Sequence, residues 1–467
     1  MRLFETRPGD DGLPGRERKL AVLALVTGTL MAVVDTTMIN LALPSIAADL
    51  AIPASRAVWI TNLFQVVCAA FLLVFAGISE LMTRRRLYLF GLGLFVLASV
   101  GSALSTQLET LLVFRALQGL GAAATLSIGP SLYRAVFPSR LLGSALGLSA
   151  LVVAGGYAAG PTLSGVILSF ATWPWLFALN VPLGLSALCL AWFALPRETP
   201  RQGSFDTLGA LLSIAMLASF FLAMDAVGHA APLWQSGGWA VLAVGAGVGF
   251  VARQKRAAYP LLPLVVFNEL RFSLAVSASG LAFVGQGLTF VALSFLYQQE
   301  MGFTPLETAW LFTPWPLAIM LVGPVAGRLA DRINPGLLSS TGLLLLIAGL
   351  VALALVDDST SVLNSLWRTA LCGIGFGLFQ PPNNREMMGS LPRERSANVS
   401  GVMSTTRTVG QSFGVALVGA AMAAGWPVQA TLWLAGFTTL LALVVSVARF
   451  PLAGRAMAAQ QASSASD

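Results

Sequence analysis

Apolar runs of about twenty residues, separated by short polar breaks, fill nearly the whole chain. They lie at 20–41, 59–80, 87–104, 111–133, 142–170, 175–195, 208–227, 233–252, 272–297, 306–329, 337–356, 363–379, 399–424 and 430–450. A helix rising about 1.5 Å per residue needs about 20 residues to cross the hydrocarbon core of a bilayer. The runs are close to that length, and they lack the short in–out alternation of a barrel strand. Each is therefore expected to be a membrane-spanning helix.

The polar breaks test the count. Alternate ones carry Arg84-Arg85-Arg86, then Arg134 and Arg140, Arg197 and Arg201, and Arg253 with Lys255, Arg256 and Arg271. The series continues with Arg328 and Arg332, Arg385 with Arg393 and Arg395, and finally Arg449 and Arg455. The intervening breaks hold Asp49 with Arg56, Glu109, Glu300 and Asp357-Asp358, and little other charge. Arginine-rich loops stay on the cytoplasmic side of an inner membrane. Fourteen helices with both termini in the cytoplasm keep this alternation, and an odd number breaks it.

Composition agrees. Only 10% of the 467 residues are charged and 56% are hydrophobic, whereas a soluble domain carries about 25% charged residues. The outer surface must therefore face lipid. The net charge of +7 sits in loops, as membrane topology requires, so no nucleic-acid partner is expected. Cys68, Cys189 and Cys372 lie in apolar stretches without metal or disulfide spacing, and His229 reads as a solvated loop residue. No metal or cofactor is expected, and no cluster of His, Cys or paired carboxylates supports an enzyme. The polar stretch before the first run lacks a cleavage site after that run and reads as a cytoplasmic tail.

The chain also repeats itself. Adding 254 to Gly119, Gly121, Gly147, Gly156, Gly160 and Gly165 gives Gly373, Gly375, Gly401, Gly410, Gly414 and Gly419, and Pro138 maps to Pro392. Six of the nine glycines between 119 and 165 find a partner, where 46 glycines in 467 residues predict about one by chance. The expected organisation is a tail at 1–19, a six-helix bundle at 20–195, two inserted helices at 196–271, a second six-helix bundle at 272–450 and a tail at 451–467. Parallel six-helix halves are a transporter architecture, with the substrate site near the midplane.

Several motifs now carry a family resemblance. Val34-Asp35-Thr36-Thr37-Met38-Ile39-Asn40 opens the series, followed by Arg115-Ala116-Leu117-Gln118-Gly119-Leu120-Gly121. Gly156 through Gly160-Pro161 to Gly165 comes next, then Trp173-Pro174-Trp175 with Asn180-Val181-Pro182-Leu183-Gly184. Phe205-Asp206-Thr207-Leu208-Gly209 and Gly327-Arg328-Leu329-Ala330-Asp331-Arg332 complete it. In this order they resemble the fourteen-helix drug/proton antiporter branch of the major facilitator superfamily over nearly the whole chain. The resemblance implies an all-α membrane protein with the major facilitator fold: two six-helix bundles plus two extra helices. It implies proton-coupled multidrug efflux linked to antibiotic resistance, with the proton as coupling ion, small amphipathic substrates and a monomer in the lipid bilayer. Export of one specific metabolite, such as a siderophore or amino-acid derivative, is the alternative. A cytoplasmic latch is implied at Glu80, Arg84 and Arg85 and at Gly327, Arg328, Asp331 and Arg332. The first copy departs from the pattern, with Glu80 for the usual Asp and Thr83 for Gly.

Within the apolar runs, Asp35 is the leading functional candidate, because a charge in the bilayer costs several kcal/mol unless it is used or paired. It lies roughly 9 Å below the outer end of its run, and Arg115 lies roughly 6 Å below the same surface, so the two are at meeting depth. Burial favours the neutral acid and a nearby arginine favours the carboxylate; a proton-coupling pair and a static packing pair both fit. Gly156 and Gly160 share a helical face, as do Gly410 and Gly414; with Pro161 and Gly165 these read as a gate formed by the two facing helices, or as ordinary close packing. Asn62, Gln65, Gln118, Gln286, Trp310, Trp315 and Arg407 are candidate cavity-lining residues. Arg368 and Arg407 fit packing or helix-end snorkelling as well as they fit substrate contact, and Asp225 reads as a solvated residue near a helix end. The run at 306–329 contains Pro314 and Pro316 but, beyond Glu307 at its edge, no acid. Some relatives that expel divalent cations carry one there, so monovalent cationic or neutral compounds are favoured.

Overall fold

The computed structural model describes residues 4–5, 10–138, 141–197, 205–228, 231–257, 260–262, 264–330, 332–356, 361–390 and 396–449. Among these residues the structure is helical throughout, with no strand. The helices are α1 (Gly15–Asp49), α2 (Ala54–Leu81), α3 (Arg84–Ala103), α4 (Leu108–Leu126), α5 (Gly129–Val136), α6 (Leu142–Phe170), α7 (Pro174–Ala178) and α8 (Asn180–Ala194). There follow α9 (Thr207–Gly228), α10 (Leu233–Arg256), α11 (Leu270–Phe295), α12 (Pro305–Phe312), α13 (Pro314–Leu329), α14 (Pro335–Ala354), α15 (Val362–Gly389), α16 (Ser396–Ala423) and α17 (Val428–Val447). Three membrane crossings are broken in two. Pro130, Pro174 and Pro314 each lie in the first turn of a member of these pairs, where a missing N–H costs nothing. Thirteen segments of the described residues are long and apolar enough to span a membrane, and α16 supplies the crossing expected at 399–424. The protein is a multi-pass membrane protein with about fourteen spanning segments.

Two compact units are present. The first comprises Met1–Pro263, Phe290–Thr313 and Val415–Val428, and the second Leu264–Thr289, Pro314–Gly414 and Gln429–Asp467. Lipid offers helices no hydrophobic reason to associate, so their cohesion rests on close packing and hydrogen bonds. The repeated glycines supply the close packing. In the first unit, a Cβ on Gly121 would lie 2.7 Å from the Gly91 carbonyl and 2.8 Å from the Phe95 nitrogen, so α3 and α4 touch backbone to backbone. In the second, a Cβ on Gly375 would lie 2.7 Å from the Gly342 carbonyl and 2.8 Å from Leu346 Cα, giving the same contact between α14 and α15. A Cβ on Gly119 would lie 2.6 Å from the Phe64 carbonyl of α2, and one on Gly373 would lie 2.8 Å from Trp315 Cα of α13. The repeat seen in the sequence is thus a repeat of contacts.

These sites set a stability prediction. Gly121→Leu and Gly375→Leu push a side chain into backbone that has nowhere to go, and overpacking of this kind costs about 1–3 kcal/mol or more. Both variants are expected to lose most of the monodisperse, detergent-purified protein. Gly436→Leu, where a Cβ meets nothing within 4 Å, is expected to purify normally.

The ends of the first unit are more ordered than a polar tail suggests. α1 begins at Gly15 rather than at Leu20, because an apolar count finds only the part of a helix that sits in hydrocarbon. Ahead of it, the Leu13 N–H donates to the Val136 carbonyl at 3.1 Å. Gly12 takes φ +107°, and a Cβ there would lie 2.9 Å from the Phe137 carbonyl carbon. Arg18 is fully buried and donates to the Leu13 carbonyl at 2.9 and 3.0 Å.

The inserted helices α9 and α10 form a hairpin packed on α2. Asp206 closes its base, accepting from the Gly209 N–H (3.1 Å), Arg253 Nε (2.8 Å) and Gln254 Nε2 (3.0 Å). Burial alone would push the Asp206 carboxyl up, but the Arg253 guanidinium, the Gly209 N–H and the Gln254 amide together hold it below the usual carboxylate value. A Cβ on Gly209 would lie 2.8 Å from Asp206 Cγ, which is why glycine follows this acid three residues on.

Candidate functional site

The site is built from the middle of α1 outward. Asp35 has no solvent exposure, and neither has Arg115 of α4. Arg115 Nη1 donates to Asp35 Oδ2 at 2.7 Å. The other carboxylate oxygen accepts from Asn180 Nδ2, at the first turn of α8, at 2.6 Å. Charged hydrogen bonds of this length are about twice as strong as neutral ones.

Arg115 is in turn fixed on every side. Its Nε donates to the Ile60 carbonyl of α2 at 2.9 Å, and its Nη1 also reaches Gln118 Oε1 at 2.9 Å. Gln118 Nε2 donates to Ser99 Oγ of α3 at 2.8 Å. The guanidinium lies over the Phe64 ring, 4.3 Å from its centroid, and 5.7 Å from that of Phe177; such stacking is worth up to about 2 kcal/mol where water is excluded. Five helices therefore meet at one ion pair. The pair is well satisfied, except that Arg115 Nη2 is buried without a hydrogen-bond partner.

The second half of the repeat builds the same scaffold without any of this. Gly160 packs against the Val34 carbonyl and Gly414 against the Val284 carbonyl, so Asp35 corresponds to Gly285. At Gly285 a Cβ would already lie 2.7 Å from Thr439 Oγ1. The glycines of α4 and α15 align at 254, so Arg115 corresponds to Thr369, whose hydroxyl simply donates to the Ser365 carbonyl at 2.9 Å. Gln118 corresponds to the buried Cys372. The first half thus carries a charged network where the second carries small neutral side chains.

Of the other sequence-selected residues, some move to new roles. Gln118 is fully buried inside the network; a satisfied amide and a cavity-facing amide look alike in sequence. Trp315 is likewise a core side chain, 1% exposed, under Gly373. Trp310, the sixth of the eight residues of α12, is exposed. Asn62 and Gln65 are buried on α2, and their amide oxygens have no hydrogen-bond partner. Gln286 accepts from Gln411 Nε2 at 2.9 Å, and Arg407 is half-buried in α16.

The glycine faces of α6 and α16 each pack against a helix of their own unit. Gly156 lies against Val33 (2.8 Å to a built Cβ) and Gly160 against Thr37 (2.8 Å), both on α1. Gly410 lies 2.7 Å from the Gly280 carbonyl and Gly414 2.7 Å from the Leu288 nitrogen, both on α11. Each face is filled inside its own unit, because spacing reveals a close approach but not the partner. Gly165, beyond Pro161, packs against α12, 2.6 Å from Ala309 Cβ.

In the expected latch, Asp331 and the Glu80 side chain lie outside the described residues. Arg85 donates to the Trp192 carbonyl and stacks 5.3 Å from that indole, which ties it to α8. Arg84 is half-buried, Gly327 comes within 3.9 Å of Pro381, and Arg328 and Arg332 are exposed. Asp225 is half-buried, and Trp59 Nε1 donates to it at 2.7 Å. Arg368 donates to the Ala352 carbonyl at 2.6 Å, which is a packing role. His229 lies outside the described residues. Sequence reasoning missed Asn180 as a ligand of Asp35. It also missed a second buried cluster, in which Arg271 binds Glu386 at 2.6 Å and Arg449 binds Asn383 at 2.8 Å.

Comparison with known proteins completes the picture. The profile described as Major Facilitator Superfamily matches residues 25–415 and, in a second alignment, 278–465. The chain is 40% identical over 410 residues to the uncharacterized transporter YebQ of Escherichia coli (strain K12), covering 87% of this chain and 90% of that one. It is 31% identical over 418 residues to the multidrug resistance protein Stp of Mycobacterium tuberculosis (strain ATCC 25618 / H37Rv), covering 88% and 76%. Among solved structures, a bacterial homologue of the human lysosomal transporter Spinster, in an inward-facing and unoccupied conformation, superposes with a TM-score of 0.66 at 15% identity. That match covers 95% of this chain and 97% of the other, and it speaks for the fold.

Proposed function

This chain belongs to the major facilitator superfamily, and on that premise we propose that it is a proton-coupled multidrug exporter of the inner membrane, with both termini in the cytoplasm. Its cargo is amphipathic compounds, monovalent cationic or neutral, and it works by alternating access as an antiporter. The observation that carries this reading is the fully buried Asp35–Arg115 pair, present in one half of a repeated scaffold and absent from the other. A buried pair contributes little to stability against apolar side chains of similar size. Where the scaffold manages without it, the pair is there for its charge.

Asp35 is the proton carrier in this reading. Ionised, it holds Arg115 and Asn180 and draws α1, α4 and α8 together. Protonated, it loses its charge and its hold on Arg115 weakens, so these helices shift relative to one another. Each proton moving down 100 mV supplies about 2.3 kcal/mol, enough for one proton to support a useful drug gradient. The multidrug relatives support efflux of more than one compound.

Purified protein in liposomes tests the proposal. With an imposed pH gradient, ethidium is expected to move against its own gradient while a trapped pH dye records protons moving the other way. Ethidium movement that ignores the pH gradient and the membrane potential would overturn it.

A further inference from the structure

Both oxygens of Asp35 are occupied, and the two occupants differ in how firmly they are held. Arg115 sits on Oδ2 at 2.7 Å and is itself tethered to the Ile60 carbonyl and to Gln118, with the Phe64 ring beneath it. It is also permanently charged and has no acceptor to offer a proton-bearing oxygen. Asn180 sits on Oδ1 at 2.6 Å. Its side chain is neutral and has both a donor and an acceptor end. As an N–H donor it suits the carboxylate; turned over, its Oδ1 accepts from a carboxylic O–H.

The surrounding motif explains how Asn180 is placed there. Trp173 Nε1 donates to Asp49 Oδ2 at the outer end of α1, at 2.7 Å. Gly184, one turn after Asn180, lets α8 close on α1: a Cβ there would lie 3.0 Å from Met31 Sδ. Trp173, Asn180 and Gly184 thus pin α7–α8 to α1 at three levels, with Asp35 at the middle one. Leu179 separates α7 from α8 just ahead of Asn180, and Phe177 of the same segment covers Arg115.

We infer that Asp35 takes its proton on Oδ1, and that Asn180 is the positioning residue that holds this oxygen in both charge states. On protonation, the O–H bond forms at Oδ1, the Nδ2–H···Oδ1 hydrogen bond breaks, and the inverted amide accepts the new O–H; Arg115 stays on Oδ2. The inference rests on the reading of Asp35 as proton carrier. Arg115 is the charged group facing Asp35 from the elements packed around it. The thiols and phenols on those elements are Cys68 on α2, Tyr88 on α3, Tyr133 on α5, Tyr157 on α6 and Cys189 on α8. The remaining charges stand towards helix ends: Arg16, Glu17, Arg18, Lys19 and Asp49 on α1, Arg56 and Glu80 on α2, Arg84, Arg85 and Arg86 on α3, Arg134 on α5, Glu109 on α4 and Glu307 on α12.

The test is an infrared titration of the full-length protein, following the carboxylic C=O band that Asp35→Asn removes. A hydrogen bond to the charged form favours that form, so losing it lets the proton bind at higher pH. Asn180→Leu is expected to move the midpoint up by about one pH unit, the size of a charge-assisted hydrogen bond. Asn180→Ser, which keeps one hydroxyl donor, is expected to move it part of the way, and it reports alone if the leucine variant does not insert. An unchanged midpoint in a folded variant overturns the inference and leaves Asn180 as packing. The titration needs no transport. Should ethidium efflux ignore the pH gradient while the midpoint still shifts, the coupling proposal falls and the placement of the proton on Oδ1 stands.

Discussion

Asp35→Asn is expected to insert and fold normally yet to lose all uphill transport. An amide at position 35 still accepts from Arg115 through its oxygen, and its NH₂ can face the inverted Asn180, so the packing of α1, α4 and α8 keeps its hydrogen bonds. What disappears is a group that changes charge. One pH unit across the membrane supports about a tenfold drug gradient for each proton exchanged. The variant's accumulation ratio is expected to fall to about one, the level of empty liposomes, while exchange of labelled for unlabelled ethidium at equal concentrations continues. Asp35→Glu keeps the titrating group one methylene further out and is expected to retain part of the gradient. An Asp35→Asn protein that still concentrates ethidium at the normal ratio would remove Asp35 from the mechanism.

The membrane fold was legible because lipid imposes one rule on every residue: backbone groups must be satisfied within a helix, and charges must leave. That rule marks helices by length and sides by arginine. It also marked Asp35 and Arg115, since a charge in an apolar run has few reasons to be there. It is blind to neutral polar groups. Asn180 and Gln118 carry much of the site's geometry, but an amide inside a helix looks the same whether it binds a carboxylate, an arginine or a cavity. Partners are equally hidden: Gly156 and Gly160 announced a close approach, and only the structure shows that α1 makes it. Arg449 lies just beyond α17, where a loop count places it in water. It is 2% exposed because Asn383, distant in sequence, and Ser446, three residues before it, fold around it.

Arg115→Leu is expected to be the most destabilising change at the site, and more damaging than removing both charges. Without Arg115, Asp35 remains buried with no counter-charge, and breaking a buried pair from one side costs about 3–5 kcal/mol. The loss also removes the Arg115 donor from the Ile60 carbonyl and leaves Gln118 Oε1 with only the long 3.4 Å hydrogen bond from Ser102 Oγ. Adding Asp35→Asn to Arg115→Leu removes the stranded acid. The double variant then approaches the second half of the repeat, where Gly285 and Thr369 occupy these places in an intact bundle. Thermal unfolding in detergent is therefore expected to rank wild type first, the double variant second and Arg115→Leu last, with both variants inactive in pH-driven efflux. The order separates two physical roles. If the pair exists to hold the helices together, removing the second charge compounds the damage and the double variant is least stable. If it exists to move a proton, the double variant recovers stability and not transport.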